Sequence, residues 1–476
     1  MISKLEEKHL EFIESEKKLV DETSNLIKKI SNDKHNAFWH VKENENFALT
    51  EAEKLDALKK DEKISKKLFG LSVGVKDLFM VKDTITTAGS KVLDGFKAPY
   101  TSDLWEKLSN SGSLFASKVS MDEFAMGSYT NTSYLGKTSL YNNLEKTAGG
   151  SSGGSATSVK SGLVDFSIGS DTGGSIRQPA SFSGLVGYKP SYGAFSRFGM
   201  IPYASSLDQA SFMVNDLLDV KYILNSISLE KDKRDMTHKG LELNFEENKK
   251  IKIGYLPILL DNVDGFDEAT INVYKKSIED LKDKAELIPI NIEYLQHAAK
   301  IYYIIATSEA SSNLSVYQGV FFGNKIVNEN FYGDYQEQVS QYRSKYFGKE
   351  VKKRIILGSF ILSSDNFDDM YLKAISLRDE LSEQINKVLS TVDMIILPTS
   401  PIVAPKWNDI DKMTSSQIYM ADYLTVPFSL SGLPAISYPM NKSNESDLNG
   451  TNVGIQFVGK KFKDYQLIND MEKVLM

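Results

Sequence analysis

The chain has 476 residues, 41% of them hydrophobic, with a formal net charge of −7, no cysteine and five histidines. That hydrophobic share supplies a sizeable core and excludes a disordered chain, while the missing cysteines exclude disulfides and thiolate metal sites. The negative charge argues against a chain that grips nucleic acid by itself, and no apolar run approaches the ~18 residues of a membrane span.

The opening run Met1-Ile2-Ser3-Lys4-Leu5-Glu6-Glu7-Lys8 is too charged and too acidic for a secretory signal or transit peptide, so the cytoplasm is the expected compartment. Residues 1–62 predict a charged helical segment with Leu5, Leu10, Phe12, Ile13 and Leu19 as scattered apolar contacts. It is expected to be a helix pair that packs on the core or docks a partner. From 63 to 476 the pattern is one of short apolar strands alternating with longer helical stretches. Leu71-Ser72-Val73-Gly74-Val75 forms a buried strand candidate that ends at Lys76. Further strand candidates are Ser113–Val119, Leu163–Gly169, Ile251–Leu256, Met394–Leu397, Ala435–Tyr438 and Val453–Val458. Between them Phe266, Ala269, Val273, Ile278 and Leu281 recur at helical spacing, as do apolar positions in 368–390. Such alternation implies an α/β fold whose sheet is covered by helices on both faces. Length alone allows several domains, but 63–476 reads as one large domain with 1–62 packed on it. Glu230–Lys250 and Asn441–Asn449 are polar and predict surface connections.

Two glycine-rich loops punctuate this pattern: Gly149-Gly150-Ser151-Ser152-Gly153-Gly154-Ser155 and Gly169-Ser170-Asp171-Thr172-Gly173-Gly174-Ser175. A serine hydroxyl is a weak nucleophile near neutral pH and needs a base. The histidines, at 9, 35, 40, 238 and 297, all lie outside these loops, although distant residues do converge in catalytic triads. Lysine serves equally if it is neutral, which requires its usual pKa of about 10.4 to fall. Burial disfavours the charged form, and Lys76 follows an apolar strand. The glycines of Thr172-Gly173-Gly174-Ser175 clear side-chain bulk where backbone N–H groups can meet a developing oxyanion. Asp171 and Arg177 flank Ser175 as an ion pair expected to shape the loop. The competing readings are weaker. A flexible linker is not followed by a patterned run such as Leu163-Val164-Asp165-Phe166-Ser167-Ile168, and a Walker-type phosphate loop ends in Gly-Lys-Ser/Thr, absent here. No spacing of histidines and carboxylates points to a metal.

Lys76 with the two loops resembles the amidase signature family, from about Phe69 to Gly459. The resemblance implies that family's fold, a mixed central sheet covered by helices on both faces, and cleavage of carboxamides through an acyl-enzyme. It implies Ser175 as nucleophile, Ser151 as relay behind a cis peptide bond, Lys76 as base, and backbone amides of Thr172, Gly173, Gly174 and Ser175 as the oxyanion hole. Met121-Asp122-Glu123-Phe124-Ala125-Met126-Gly127-Ser128, Ala204-Ser205-Ser206-Leu207-Asp208-Gln209, Glu309-Ala310-Ser311-Ser312-Asn313-Leu314 and Gly348-Lys349-Glu350-Val351-Lys352-Lys353-Arg354-Ile355 are similar to one branch, the A subunits of the glutamyl-tRNA(Gln) amidotransferases. For that branch the expected reaction is hydrolysis of glutamine, with ammonia passing to a partner that amidates Glu-tRNA(Gln), or alternatively Asp-tRNA(Asn). Arg354 matches the family arginine on the substrate carboxylate, where a guanidinium bonds bidentately; Asp422 matches the aspartate on the ammonium. Thr172 and Tyr303 are further pocket candidates. The resemblance also implies two other subunits in a heterotrimer, tRNA held mainly by a partner subunit, ATP and Mg at a partner subunit, and no cofactor in this chain.

Other readings stand beside these. Arg354 stands beside Lys352 and Lys353 and reads alternatively, though less well, as a solvated helix end, and Asp422 as a cap or surface group. The whole chain is alternatively a free-standing amidase for another small carboxamide, or a non-catalytic scaffold. The sequence departs from the family at Ser72, at Ser117-Lys118-Val119-Ser120, at Ala210-Ser211-Phe212, and at Val316, Gln318 and Phe321. The last two groups are expected along the pocket or the ammonia route.

Overall fold

Strands that are apolar on both sides need cover on both sides, and this chain builds its sheet from such strands. The structure is a computed structural model that describes residues 2–15, 17–247, 250–261, 263–328, 330–440 and 452–476. The strands are β1 (Phe38–Trp39), β2 (Ser72–Lys76), β3 (Leu114–Val119), β4 (Ser139–Leu140), β5 (Asn143–Thr147), β6 (Phe166–Asp171), β7 (Val186–Lys189), β8 (Gln209–Val214), β9 (Lys252–Tyr255), β10 (Glu286–Pro289), β11 (Met394–Pro398), β12 (Ala435–Pro439) and β13 (Gly454–Val458). Among the described residues β4 and β5 pair with each other, and the other eleven form one sheet in the order β1-β3-β2-β6-β8-β7-β12-β13-β11-β9-β10. The sheet is mixed. β3, β2 and β6 run parallel, as do β11, β9 and β10, while β8, β7, β12 and β13 join these groups by antiparallel pairing. Helices flank it, giving an α/β fold.

The six strand candidates from Ser113 to Val458 are all strands, within three residues at each end. β7 and β8 are not among the candidates. Each carries polar or glycine positions inside the sheet (Gly187 and Lys189; Gln209 and Ser211), and these break up the apolar run that marks a buried strand. β10 also escapes the pattern: it is an outer strand, only half-buried, and it ends at Pro289. The spacing of Phe266 to Leu281 corresponds to the helix Glu268–Leu281, and 368–390 forms a π-helical turn, Phe367–Leu372, running into the helix Lys373–Leu389.

The expected N-terminal helix pair is instead four helices, Lys4–Glu14, Leu19–Ile30, Val41–Asp56 and Lys60–Ser65, with β1 among them. β1 pairs with β3, so this segment extends the sheet edge as well as packing on it. Leu5 and Leu19 are buried, whereas Leu10, read as an apolar contact, is exposed. The Leu5 amide donates to Asp219 Oδ1 at 3.0 Å. The described part of Glu230–Lys250 has no helix or strand, but His238 and Leu241 within it are buried. Asn441–Asn449 lies outside the described residues. No helix among the described residues is long and apolar enough to cross a membrane.

The centre of the sheet is closed by aromatic packing, with the Phe212 ring on β8 lying 5.1 Å from Tyr188 and 5.9 Å from Phe195. Phe212→Ala should therefore lower unfolding stability by about 3–5 kcal/mol. The check is the urea midpoint at unchanged slope; a midpoint close to that of the parent chain would contradict this packing.

Candidate active site

Lys76 is the last residue of β2, and every residue of that strand is buried. Its Nζ reaches three hydroxyls: Ser151 at 2.8 Å, Ser152 at 2.7 Å and Ser170 at 2.9 Å. Burial pushes the amine down to about 7, against the opposing pull of Asp122, Asp171 and Asp208. A neutral amine has two hydrogens and one lone pair, so one of the three hydroxyls must donate to Nζ. The Ser152 hydroxyl already donates to the Ser170 carbonyl at 3.3 Å, which leaves Ser151 or Ser170 to supply that hydrogen. The Gly150–Ser151 peptide bond is cis.

Ser175 lies between β6 and the helix Arg177–Ser183 and is 8% exposed. The loop is held from behind by Arg177. Its Nε and Nη2 bind Asp171 bidentately at 2.9 Å each; Nη1 donates to the Thr425 carbonyl and Gln456 Oε1 at 3.0 Å each, and Nη2 to the Ser429 hydroxyl at 2.8 Å. All five N–H groups are used, so the expected structural ion pair is what the structure contains. Burial alone would raise the Asp171 carboxyl, but the Arg177 charge and hydrogen bonds hold it below the usual carboxylate range. Two glycines here are sterically required. A Cβ on Gly173 would meet the Tyr302 ring at 2.7 Å, and Gly174, at φ +139°, would collide with Thr425 Oγ1. The two serine loops are tied together by Gln178, which accepts from the Gly150 amide at 2.9 Å and donates to the Ser128 carbonyl at 3.1 Å.

The remaining predicted residues gather around three tyrosines. Arg354, on the helix Lys349–Ile361, is 4% exposed and is no solvated helix end. Its Nε binds Glu350 at 2.8 Å and its Nη1 the Tyr203 hydroxyl at 2.7 Å. Asp422 accepts from the Ser128 hydroxyl at 3.1 Å and the Tyr303 hydroxyl at 3.4 Å. Burial pushes its carboxyl up to about 7 despite those bonds and the Arg354 charge. Tyr303 joins the pair, since its ring also lies 5.4 Å from the Arg354 guanidinium. Thr172 is placed differently: its hydroxyl donates to Asp208 at 2.7 Å, and the same carboxylate holds the Tyr203 amide at 2.8 Å. Thr172 thus braces the tyrosine wall through Asp208. Among the described residues no group of three or more histidines and carboxylates is placed to hold a metal ion.

Of the departures from the family pattern, Ala210, Ser211 and Phe212 lie within β8, where Ala210 pairs with Ser170 and Ser211 with Gly169 of the second glycine loop. Val316 and Phe321 are exposed, and Gln318 bonds Ser315 and Tyr335. Several site residues are not singled out by the sequence: Ser152, Ser170, Ser128, Tyr203, Asp208 and Tyr302. Ser128 and Asp208 stand inside motifs that carry the resemblance, and Ser152 and Ser170 inside the glycine loops. Nothing in the sequence marks Tyr203 or Tyr302 as facing Arg354 and Gly173.

The family model described as Amidase matches residues 21–468. The A subunit of glutamyl-tRNA(Gln) amidotransferase from Sulfurisphaera tokodaii is 36% identical over 460 residues, 96% of this chain and 94% of the relative. The protein of that name from Pelagibacter ubique is 40% identical over 409 residues, 85% of this chain and 82% of the relative. Among solved structures, the A subunit of glutamyl-tRNA(Gln) amidotransferase from Thermotoga maritima superimposes with a TM-score of 0.70 at 32% identity, covering 86% of this chain and 84% of that one.

Arg177→Met would leave the Asp171 carboxylate buried and unpaired, and should cost about 3–5 kcal/mol of stability. Denaturant unfolding measures it; a variant as stable as the parent would mean that the Arg177 knot does not hold the loop.

Proposed function

The chain belongs to the amidase family, and on that premise we propose that it is the glutamine-hydrolysing subunit of a tRNA-dependent amidotransferase. The observation that carries this reading is the buried pair Arg354 and Asp422, joined through Tyr303 and linked by Ser128 and Gln178 to the loop whose Ser151 meets the buried lysine. Free glutamine bears an α-carboxylate and an α-ammonium, and a selective pocket needs one partner for each. A simple carboxamide has no use for both.

In the proposed mechanism Arg354 takes the carboxylate and Asp422 the ammonium, which places the side-chain amide at Ser175. Ser151 accepts the Ser175 proton and passes its own to neutral Lys76. Ser175 Oγ then forms a bond to the amide carbon, and the charge that develops on oxygen is met by backbone amides of Thr172, Gly173, Gly174 and Ser175. The relay returns the proton to the leaving nitrogen, the C–N bond breaks, and ammonia departs. A water molecule, activated by the same relay, attacks the acyl-enzyme and releases glutamate. The names of the relatives support delivery of that ammonia to a partner subunit that amidates Glu-tRNA(Gln). We place this chain in a heterotrimer in the cytoplasm, with ATP, Mg and most of the tRNA contact on partner subunits. The net charge of −7 supports the last assignment.

Ammonia release from glutamine should rise when partner subunits and mischarged tRNA are added, and should vanish in Ser175→Ala. Glutamine left untouched in both settings, with turnover of simple amides, would overturn the reading. The pH profile follows from the site. Lys76, lowered to about 7, and Asp422, raised to about 7, are both active only when deprotonated, so kcat/KM should fall as pH drops through 7 more steeply than a single titration. Asp422→Asn should reduce that limb to a single titration and lower kcat/KM for glutamine about 30-fold or more. A flat profile between about pH 6 and 8 would contradict both assignments.

A further inference from the structure

Asp122 and Glu123 are neighbours in sequence, both buried, and each holds a different half of the site. The Asp122 amide donates to the Ser151 carbonyl at 3.2 Å. Its carboxylate collects the amides of Thr130 at 2.8 Å, Asn131 at 2.9 Å and Thr132 at 3.1 Å. A Cβ on Gly150 would collide with that carboxylate, so the relay loop sits directly against it. The Glu123 side chain points the other way. It accepts from the Ser90 hydroxyl at 2.6 Å and from the Gly348 amide, at 2.9 Å to Oε2 and 3.2 Å to Oε1. Gly348 caps the helix Lys349–Ile361, which carries Arg354. A Cβ on Gly348 would collide with Glu123 Oε2, so a larger residue there must displace either the helix start or the Glu123 carboxylate. Phe347, one residue earlier, packs on the Phe124 ring at 5.9 Å.

We propose that Glu123 is a positioning residue for substrate recognition: it clamps the start of the Arg354 helix to the segment that holds Ser151. The clamp fixes how far Arg354 stands from Ser175, and hence which carboxylate-bearing amides are held at reacting distance. The proposal rests on the reading of Arg354 as the carboxylate partner. Its physical basis is that a helix turns as a rigid rod about its held end. Arg354 lies six residues beyond the cap, roughly 9 Å along the axis, so a small tilt at Gly348 moves the guanidinium by a substantial fraction of an ångström. Errors of about 1 Å in substrate placement cost of the order of 100-fold in rate.

The test uses the full chain with its partner subunits and four amides. Glutamine carries both α-charges, glutaramate only the carboxylate, γ-aminobutyramide only the ammonium, and butyramide neither. In Glu123→Ala the KM for glutamine and glutaramate should rise about tenfold, while kcat/KM for γ-aminobutyramide stays within about twofold. Glu123→Gln keeps a carbonyl oxygen for the Gly348 amide and should restore glutamine KM to within about threefold of the parent. Gly348→Ala forces the helix start and the Glu123 carboxylate apart and should reproduce the carboxylate-selective loss; it carries the test if Glu123→Ala does not accumulate. Equal losses on all substrates, or an unchanged glutaramate KM, would overturn the clamp. A parent chain that handles butyramide as well as glutaramate would remove the Arg354 reading itself. Parent discrimination that survives Glu123→Ala would remove the clamp alone.

Discussion

The chemistry of this protein depends on a lysine kept out of water. An ammonium in contact with a carboxylate would stay charged and could not accept a proton. Lys76 is instead presented by an inner strand to three hydroxyls, which hydrogen-bond to an amine in either state and stabilise its charge far less than a carboxylate would. Asp122, Asp171 and Asp208 favour the charged form, yet desolvation outweighs them and brings the amine to about 7. The three carboxylates are themselves occupied: Asp171 by Arg177, Asp122 by three backbone amides, Asp208 by Thr172 and the Tyr203 and Ala204 amides. The buried network is thus arranged so that its negative charges are satisfied elsewhere, and Lys76 is left to the serines.

The same accounting separates structural charges from those that recognise substrate. A buried charge is tolerable when its hydrogen-bonding capacity is met. Arg177 has every N–H engaged and no capacity for a ligand. Arg354 commits Nε to Glu350 and one Nη1 hydrogen to Tyr203, so its guanidinium retains donors for a carboxylate. Among the described residues Asp422 is hydrogen-bonded only by hydroxyls, Ser128 and Tyr303, and burial lifts it to about 7. An arriving ammonium would supply a counter-charge in direct contact, which Arg354 does not. The two arginines have the same chemistry, and their remaining capacity decides their roles.

Much of this is legible in the sequence because the catalytic groups sit where the chain has few choices. A lysine at the end of an apolar strand and serines in glycine-rich loops are visible from local rules of burial and backbone freedom, while the roles of Ser151 and Ser175 come from the resemblance. Arg354 and Asp422 are found by motif resemblance alone; spacing cannot join residues on different elements. What stays hidden is what tertiary packing decides. Tyr203 and Tyr302 read as ordinary core aromatics until the fold turns them toward Arg354 and Gly173, and Tyr303 is found by resemblance alone. β7 and β8 are masked by Gly187, Lys189, Gln209 and Ser211, polar or small groups tolerated because Lys189 and Ser211 bond nearby carbonyls, Gln209 takes the Gly193 amide and Ala180 packs against Gly187. The N-terminal segment reads as a helix pair packed on the core, with no strand, since the two-residue strand Phe38–Trp39 has no periodicity to detect.

The central claim is that Lys76 is a neutral base near physiological pH, and it is best tested by watching its titration. Protein carrying [13Cε]-lysine, with the Lys76 signal assigned by its loss in Lys76→Ala, would be followed by NMR across pH. The account predicts a transition near 7. A Lys76 signal that remains in the ammonium position up to about pH 10, like that of an exposed lysine, would contradict it.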